Sequence, residues 1–192
     1  MTAGEGRRHV IEPLDPARHD RAAFSCGVDQ VDNFFKKTAN KLAKADNLRV
    51  FVMTSPEGAL IGFYALNGHS IDYTELPKAF ARNRPGHGSI PAAYVSIIGV
   101  DARHAGKGCG GDLLVDGLAR IARAADDLGL AVVLLDVLDC GNAELVQKRL
   151  ALYTGYGFAP LPSNPLRLFL TMATVRELVA ESGDRPPEPH AA

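Results

Sequence analysis

Nine consecutive residues, Arg103-His104-Ala105-Gly106-Lys107-Gly108-Cys109-Gly110-Gly111, carry the densest chemical signal in the chain. They stand between an apolar stretch, Tyr94 to Val100, that reads as a strand, and Asp112 to Ala125, whose apolar residues recur at helical spacing. Strand, glycine-rich turn and helix together make an anion cradle. Glycine lets the backbone approach oxygen atoms closely, and the first N–H groups of a helix have no partners of their own. The order here is Arg-x-x-Gly-x-Gly, followed at once by Cys-Gly-Gly. A nucleoside-triphosphate loop would end in Gly-Lys-Ser/Thr, but Lys107 is followed by Gly108. A dinucleotide loop needs a following strand with a ribose-binding carboxylate, and none comes at the expected distance. By pattern alone, an ordinary tight connection also fits.

A second stretch, Leu152-Tyr153-Thr154-Gly155-Tyr156-Gly157-Phe158, carries two phenols. A phenol can lend a proton to an anion forming beside it. It can equally be an amphipathic packing residue with a satisfied hydroxyl. Asp101 and Asp136 end predicted strands and Glu144 lies close to them in sequence; each is either a base or a structural acid, and no general base is assigned. Cys26, Cys109 and Cys140 have no Cys-x-x-Cys or histidine pairing, so they read as reduced thiols and not as a metal site or disulfide framework.

These residues need elements to hold them. Val10 to Leu14 reads as a first strand and Asp29 to Ala45 as a helix. Arg49–Thr54 and 59–71 read as a hairpin around Ser55-Pro56-Glu57-Gly58. Tyr73 to Gly88 is a polar excursion. Tyr94 to Asp101 is the next strand, and Asp112 to Leu128 is a helix that Gly129 should close as a left-handed C-terminal glycine. Leu130 to Val137 reads as a buried strand, Asn142 to Tyr153 as a helix, and Gly157–Leu161 and Leu166–Met172 as closing strands. Asn142 and Asp139 compete for the cap of that last helix. On the first helix, Val31, Phe35, Thr38 and Leu42 share one side, and Lys36, Lys37, Lys41 and Lys44 share the other. The lysine side is either a solvated outer face or a phosphate-tracking stripe for RNA, which Arg49, Arg82 and Arg84 would extend.

At 192 residues, 46% hydrophobic and 22% charged, the chain suits one globular domain with one substantial core. The expected layout is a flexible N-terminus over 1–10, a single domain over 11–180 and a disordered tail over 181–192, where Ser-Gly-Asp-Arg-Pro-Pro-Glu-Pro should not continue a helix. No apolar run suits a bilayer or a signal peptide, so a cytoplasmic location is expected. A formal net charge of −1 gives no global pull toward nucleic acid, so any polyanion must meet a local patch.

Arg103-x-x-Gly106-x-Gly108 resembles the pyrophosphate loop of the GNAT superfamily of acetyl-CoA-dependent N-acetyltransferases, and Leu152 to Phe158 resembles the Phe-Tyr-x-x-x-Gly-Phe signature near the end of such domains. The resemblance implies a mixed α+β fold, with a central, mostly antiparallel twisted sheet splayed in the middle and flanked by helices. It implies acetyl-CoA as co-substrate and no metal. The N–H groups of Ala105, Gly106, Lys107, Gly108, Cys109 and Gly110, with Arg103 at the entrance and Gly111 following, would hold the coenzyme pyrophosphate. Ile98, Gly99 and Val100 would run along the pantetheine arm and stabilise the thioester oxyanion. Gly99 suits a bulge there, or else permits close packing. Tyr153 would be the general acid. Asn142 would take the place of the family's pantetheine-binding asparagine, although it stands further upstream, or else only cap its helix.

Further segments resemble the GNAT toxins of bacterial toxin–antitoxin modules: Phe24-Ser25-Cys26-Gly27, Arg49 to Val52, Ile61 to Leu66, Ser89-Ile90-Pro91 and Asn164 to Leu170. That narrower resemblance implies acetylation of the α-amine of aminoacyl-tRNA and a block of translation. It also implies a small DNA-binding antitoxin, a homodimer and no membrane partner. An ordinary GNAT enzyme acting on a small amine or protein N-terminus stays open, as does a non-catalytic coenzyme A-binding or interaction module.

Overall fold

A computed structural model describes residues 9–82 and 88–184. Among them run β1 (Val10–Pro13), α1 (Asp29–Asn33), a π-helical turn (Phe34–Thr38), α2 (Ala39–Lys44), β2 (Arg49–Thr54), β3 (Leu60–Asp72), α3 (Lys78–Ala81), β4 (Ser89–Val100), α4 (Cys109–Asp127), β5 (Val132–Asp136), α5 (Ala143–Gly155), β6 (Ala159–Leu161), β7 (Asn164–Thr171) and α6 (Met172–Asp184). The strands form one seven-stranded sheet in the order β1-β2-β3-β4-β5-β7-β6. The β1–β2, β2–β3, β5–β7 and β6–β7 pairs are antiparallel. This is the mixed α+β, mostly antiparallel sheet with flanking helices that the sequence implied. The chain forms two compact units: the described residues up to Asn67 with Val95–Asp116, and Gly68–Tyr94 with those from Gly117 onward.

Aromatic packing organises the first unit. Phe35 stacks on Phe63 with ring centroids 4.0 Å apart, and Phe24 meets these two rings edge-on at 4.9 and 5.5 Å. The N-terminal helix is not the regular helix expected. Ala39 N–H bonds to Phe34 O, five residues back. This wide turn inserts a residue and rotates the phase of everything after it. The buried stripe is therefore Val31, Phe35 and Ala39, while Thr38 is exposed and Leu42 half-buried. The same turn presents the Phe35 carbonyl to Arg21, whose Nη1 donates to it at 2.7 Å.

Two glycines permit close approach. A Cβ on Gly62 of β3 would lie 2.7 Å from Leu113 Cδ1 of α4 and 2.8 Å from the Gly99 carbonyl oxygen. A Cβ on Gly99 of β4 would lie 2.7 Å from Phe63 Cε1 and 2.9 Å from Val31 Cγ1. These distances bear out the close-packing reading of Gly99. Beyond Gly99 the chain reaches Asp101, only 1% exposed. Its N–H donates to Ile61 O at 2.8 Å. Its carboxylate accepts from Ser25 N (3.1 Å), Arg103 N (3.0 Å), Arg103 Nε (2.7 Å) and Arg103 Nη2 (2.9 Å). The Arg103 hydrogen bonds hold this carboxyl at about 2, against the opposing cost of burial.

In the second unit, β5 is buried from Val132 to Leu135 and pairs with β7 in the register Val133↔Leu170, Leu134↔Phe169, Asp136↔Arg167. Leu134, Phe169, Ile90, Ala92 and Leu161 form its core, with Phe80 and Tyr94 packed against it. The chain departs from expectation at both ends of α4 and in the helix that follows β7. Helix α4 starts at Cys109, so the last three residues of the glycine-rich run are its first turn. It ends at Asp127 without a left-handed glycine: Gly129 is absent from the positive-φ positions, and Ala131 N–H goes directly to Pro91 O at 2.9 Å. Helix α6 was not expected. It buries Met172 and Val175 and continues through Glu181, Ser182 and Gly183 to Asp184, so those four residues are helix and not tail. A glycine in the last turn costs a helix about 1 kcal/mol or less, which the apolar face offsets. At the other end, β1 already starts at Val10.

Gly62→Ala is expected to destabilise the fold by about 1–3 kcal/mol, because a backbone oxygen cannot yield as a side-chain tip can. Gly68→Ala, where a Cβ meets nothing within 4 Å, serves as the control in thermal melts. Asp101 also generates an acid-stability prediction. Its folded pKa is depressed, so its contribution is full above the unfolded value near 4 and disappears as pH falls toward 2. Asp101→Asn should lower stability at pH 7 by about 1–2 kcal/mol and flatten the pH dependence of urea unfolding between about pH 4 and 2. An unchanged acid limb in the variant would refute the assignment.

Candidate active site

The glycine-rich run converts the end of β4 into a row of donors. After a tight turn over Ala102–His104, Gly106 (φ 77°) and Gly108 (φ 80°) adopt left-handed backbone. A Cβ on either would meet nothing within 4 Å, so backbone conformation and not crowding selects glycine there. The N–H groups of Gly106, Lys107, Gly108, Cys109 and Gly110 have no hydrogen-bond partner among the described residues. The bonds that bound this run are Ala105 N to Ala102 O at 3.3 Å, and Gly111 N and Asp112 N to Gly108 O at 2.9 and 3.2 Å. Consecutive unpaired N–H groups at the start of a long helix form an anion-binding concavity. Ala105 and Gly111 leave the expected donor set, because the turn and the helix consume their N–H groups.

The side chains of the run brace it. Arg103, expected at the entrance, spends Nε and Nη2 on Asp101 with its side chain still 64% exposed. Lys107 Nζ donates to Arg103 O at 3.0 Å. Burial, with Lys107 close by, lowers the His104 pKa, so that imidazole is neutral at neutral pH. Cys109 is buried against Met53, Ile61, Tyr64 and Leu113, and burial raises its thiol pKa. Ile98 and Val100 pack against the same cluster, so the last turn of β4 is seated beside the first turn of α4. Ser25 and Cys26 are clasped from two sides. Ala102 N donates to Ser25 O at 2.8 Å, and Ser25 Oγ and Cys26 N both reach the Asp32 carboxylate at 2.8 Å. Burial and the Asp32 contact push the Cys26 thiol up to about 11.

The second unit holds Tyr153, near the end of α5. Asn142 caps this helix, its Oδ1 accepting from Leu145 N at 3.2 Å. Its carbonyl oxygen is therefore committed to the helix, as the upstream placement suggested. Asp139 is no cap; it accepts from Gly141 N at 3.0 Å. Gly157 (φ 89°) reverses the chain after α5, bringing Phe158 edge-on to Tyr153 at 6.2 Å between ring centroids. Burial raises the Tyr153 pKa and the Arg149 charge opposes this; the phenol is protonated at neutral pH. Such a group can donate a proton but cannot serve as a base.

Two of the three candidate bases are already occupied. Asp101 is engaged as described. Asp136 accepts from Arg167 Nε and Nη2, both at 2.7 Å, and from the Tyr94 hydroxyl at 2.9 Å. The Arg167 bonds depress its pKa, and the pairing with burial pushes Tyr94 up to about 12. Sequence reading missed this group, though the Asp136↔Arg167 register follows once β5 and β7 are paired. Glu144 is an exposed first-turn acid of α5. Among the described residues no three His, Cys, Asp or Glu groups converge as a metal site would require.

Lys37, Lys41 and Lys44 are exposed and Lys36 half-buried, all in the first unit. Arg49 pairs with Asp46 at 2.9 Å. Arg82 is exposed in the second unit, and Arg84 lies outside the described residues. No described helix is long and apolar enough to cross a membrane.

No protein-family model matches the chain. It is 66% identical over 173 residues to the probable toxin TacT of Sinorhizobium fredii, covering 90% of this chain and 96% of that one. It is 32% identical over 162 residues to a tRNA-acetylating toxin of Mycobacterium tuberculosis, covering 84% and 92%. The fold matches AtaT complexed with acetyl-methionyl-tRNAfMet, with a TM-score of 0.78 at 23% identity over 89% of this chain and 99% of that one. It also matches an AtaT variant bound to the C-terminus of the antitoxin AtaR and acetyl-CoA, with a TM-score of 0.72 at 20% identity over 88% and 97%. With the loop and the Tyr153 segment that first suggested it, these identities place the chain in the family of GNAT-type acetyltransferase toxins.

Proposed function

We infer that this chain transfers acetyl from acetyl-CoA to the α-amine of an amino acid carried by tRNA and thereby blocks translation. The observation that carries this reading is the near-full-length identity to two toxins, one of them named for acetylating tRNA. The two units would act together as one acetyltransferase domain in the cytoplasm, where charged tRNA is found. A small DNA-binding antitoxin would be its partner.

The residues take the following roles in this reading. The free N–H groups from Gly106 to Gly110, at the positive end of α4, bind the coenzyme pyrophosphate. Arg103 contributes by holding the loop to Asp101 and by leaving a positive charge at the surface. Backbone groups of Ile98 to Val100 line the pantetheine arm and the thioester oxygen. The neutral amine attacks the thioester carbon. As the tetrahedral adduct collapses, the C–S bond breaks and Tyr153 gives its hydroxyl proton to the departing thiolate. The amine's surplus proton leaves to solvent and the tyrosinate is reprotonated. The exposed lysines 37, 41 and 44 supply local positive charge for the tRNA backbone.

The test is acetyl transfer from labelled acetyl-CoA to a pool of charged tRNA, with uncharged tRNA as control. Label should appear on charged tRNA alone. Tyr153→Phe should lower kcat by about 10²-fold or more while leaving the KM for acetyl-CoA within about threefold. Label on protein N-termini or small amines, with none on charged tRNA, would replace the tRNA reading with that of an ordinary GNAT enzyme. Binding of acetyl-CoA without any transfer would leave a non-catalytic module.

A further inference from the structure

Helix α5 is held in an unusual way. None of its residues is fully buried, and Leu145 and Leu152 are 37% and 39% exposed. Its apolar face, Val146, Leu150 and Tyr153, is only half-buried, so packing alone anchors this helix less firmly than a buried one. A specific polar tie adds to it. Arg149 Nη1 donates to Leu138 O at 2.8 Å and lies 3.4 Å from Cys140 Sγ, joining α5 to the segment that follows β5. Arg149 stands four residues before Tyr153, so the two side chains leave the same face of the helix, one turn apart.

We propose that Arg149 is the positioning residue for Tyr153, bolting the helix in place and setting a positive charge one turn before the phenol. The assignment rests on the reading of Tyr153 as the general acid. When Tyr153 gives up its proton, the O–H bond breaks, an S–H bond forms on the coenzyme thiolate, and a tyrosinate remains. A half-buried tyrosinate is costly, and a fixed guanidinium beside it lowers that cost. Both hydrogen-bond partners of Arg149 are neutral, a carbonyl and a thiol, and no ion pair ties it to a carboxylate among the described residues. Its charge is thus not spent on a carboxylate, unlike those of Arg103 and Arg167.

The surroundings support this electrostatic assignment. Tyr153 is faced by Arg149 from its own helix and by Phe158 from the following segment. Arg149 is faced by Cys140, an exposed thiol whose pKa is lowered mainly by that contact. Glu144 and Lys148 are exposed elsewhere on α5, and Asp139 is turned toward Gly141 N. Cys140 therefore reports independently on where the guanidinium sits. Cys109 is buried and Cys26 is pushed up to about 11, so alkylation at mild pH should fall on Cys140.

The experiment uses Arg149→Met and Arg149→Lys, each alone and in a Tyr153→Phe background. Initial rates are measured on charged tRNA, and Cys140 labelling by iodoacetamide is followed by peptide mapping. Arg149→Met should lower kcat about tenfold with the KM for acetyl-CoA changed less than about twofold, and Arg149→Lys should recover part of the loss. In the Tyr153→Phe background the slow residual turnover should fall by less than about twofold on adding Arg149→Met, because the group it acts through is gone. Cys140 labelling should slow in the Met variant. Equal losses in both backgrounds, or an unchanged kcat, would overturn the proposal. If Arg149→Met does not fold, the Lys variant carries the same cycle: its smaller loss must also vanish in the Phe background. Full activity of Tyr153→Phe alone would sink the general-acid reading itself, a result distinct from failure of the cycle.

Discussion

A single buried carboxylate organises the first unit. Asp101 lies at the point where β4 must stop and the donor loop begin, and water is excluded from it. An unpaired charge there would be prohibitive. The side chain and backbone of Asp101 together fix three things. Arg103 is drawn back over the turn, which sets the path of the chain into Gly106. Ser25 is held by its N–H, which carries the Phe24-to-Gly27 segment against the same turn. Ile61 O receives the Asp101 N–H, which ties the turn to β3. Those ties fix where the chain enters the row of unpaired N–H groups from Gly106 to Gly110.

The two units solve their positioning problems by different physics. In the first, shape does most of the work. Gly62 and Gly99 let Phe63, Val31 and Leu113 approach to contact, and a stacked pair of rings locks the π turn to β3. Such close packing leaves the loop backbone little freedom to relax. In the second unit the sheet is equally dry, but α5 is tied by its Asn142 cap, by Arg149 and by the Tyr153–Phe158 contact. A helix whose apolar face is only half-buried is easier to perturb than one fully buried.

Sequence carried much of this, unevenly. The hairpin at Ser55 to Gly58 and the strands β2, β3, β5 and β7 were legible because apolar runs end at strong turn residues. The donor loop was legible because its glycines stand at positions where only glycine relaxes. The π turn was not legible, since helical periodicity presumes a constant 100° step and one inserted residue breaks that presumption. Thr38 and Leu42 were misplaced for that reason. Helix α6 was missed because Ser182, Gly183 and the prolines that follow outweighed Val175, whose burial is a tertiary fact. Asn142 read both ways, and the Leu145 N–H bond shows it as a cap. Arg103 read as a residue at the loop's entrance; only three-dimensional structure reveals that Asp101 already claims two of its guanidinium nitrogens and its N–H.

The fate of the carboxylates bears on the acceptor as well. Asp101 and Asp136 are each held by an arginine and pulled below the ordinary carboxylate range, which makes both poor proton acceptors. With those two carboxylates engaged, the proposed reaction favours an amine that arrives already neutral. A lysine side chain, with a pKa near 10.4, is neutral in only about one molecule in a few thousand at pH 7, whereas an α-amine near 7.7 is neutral in roughly one in six. Esterification of the neighbouring carboxyl, as on a charged tRNA, withdraws electrons and lowers that pKa further. In the proposed reaction, arginine pairing that withholds these two carboxylates as bases favours an aminoacyl ester over a lysine side chain.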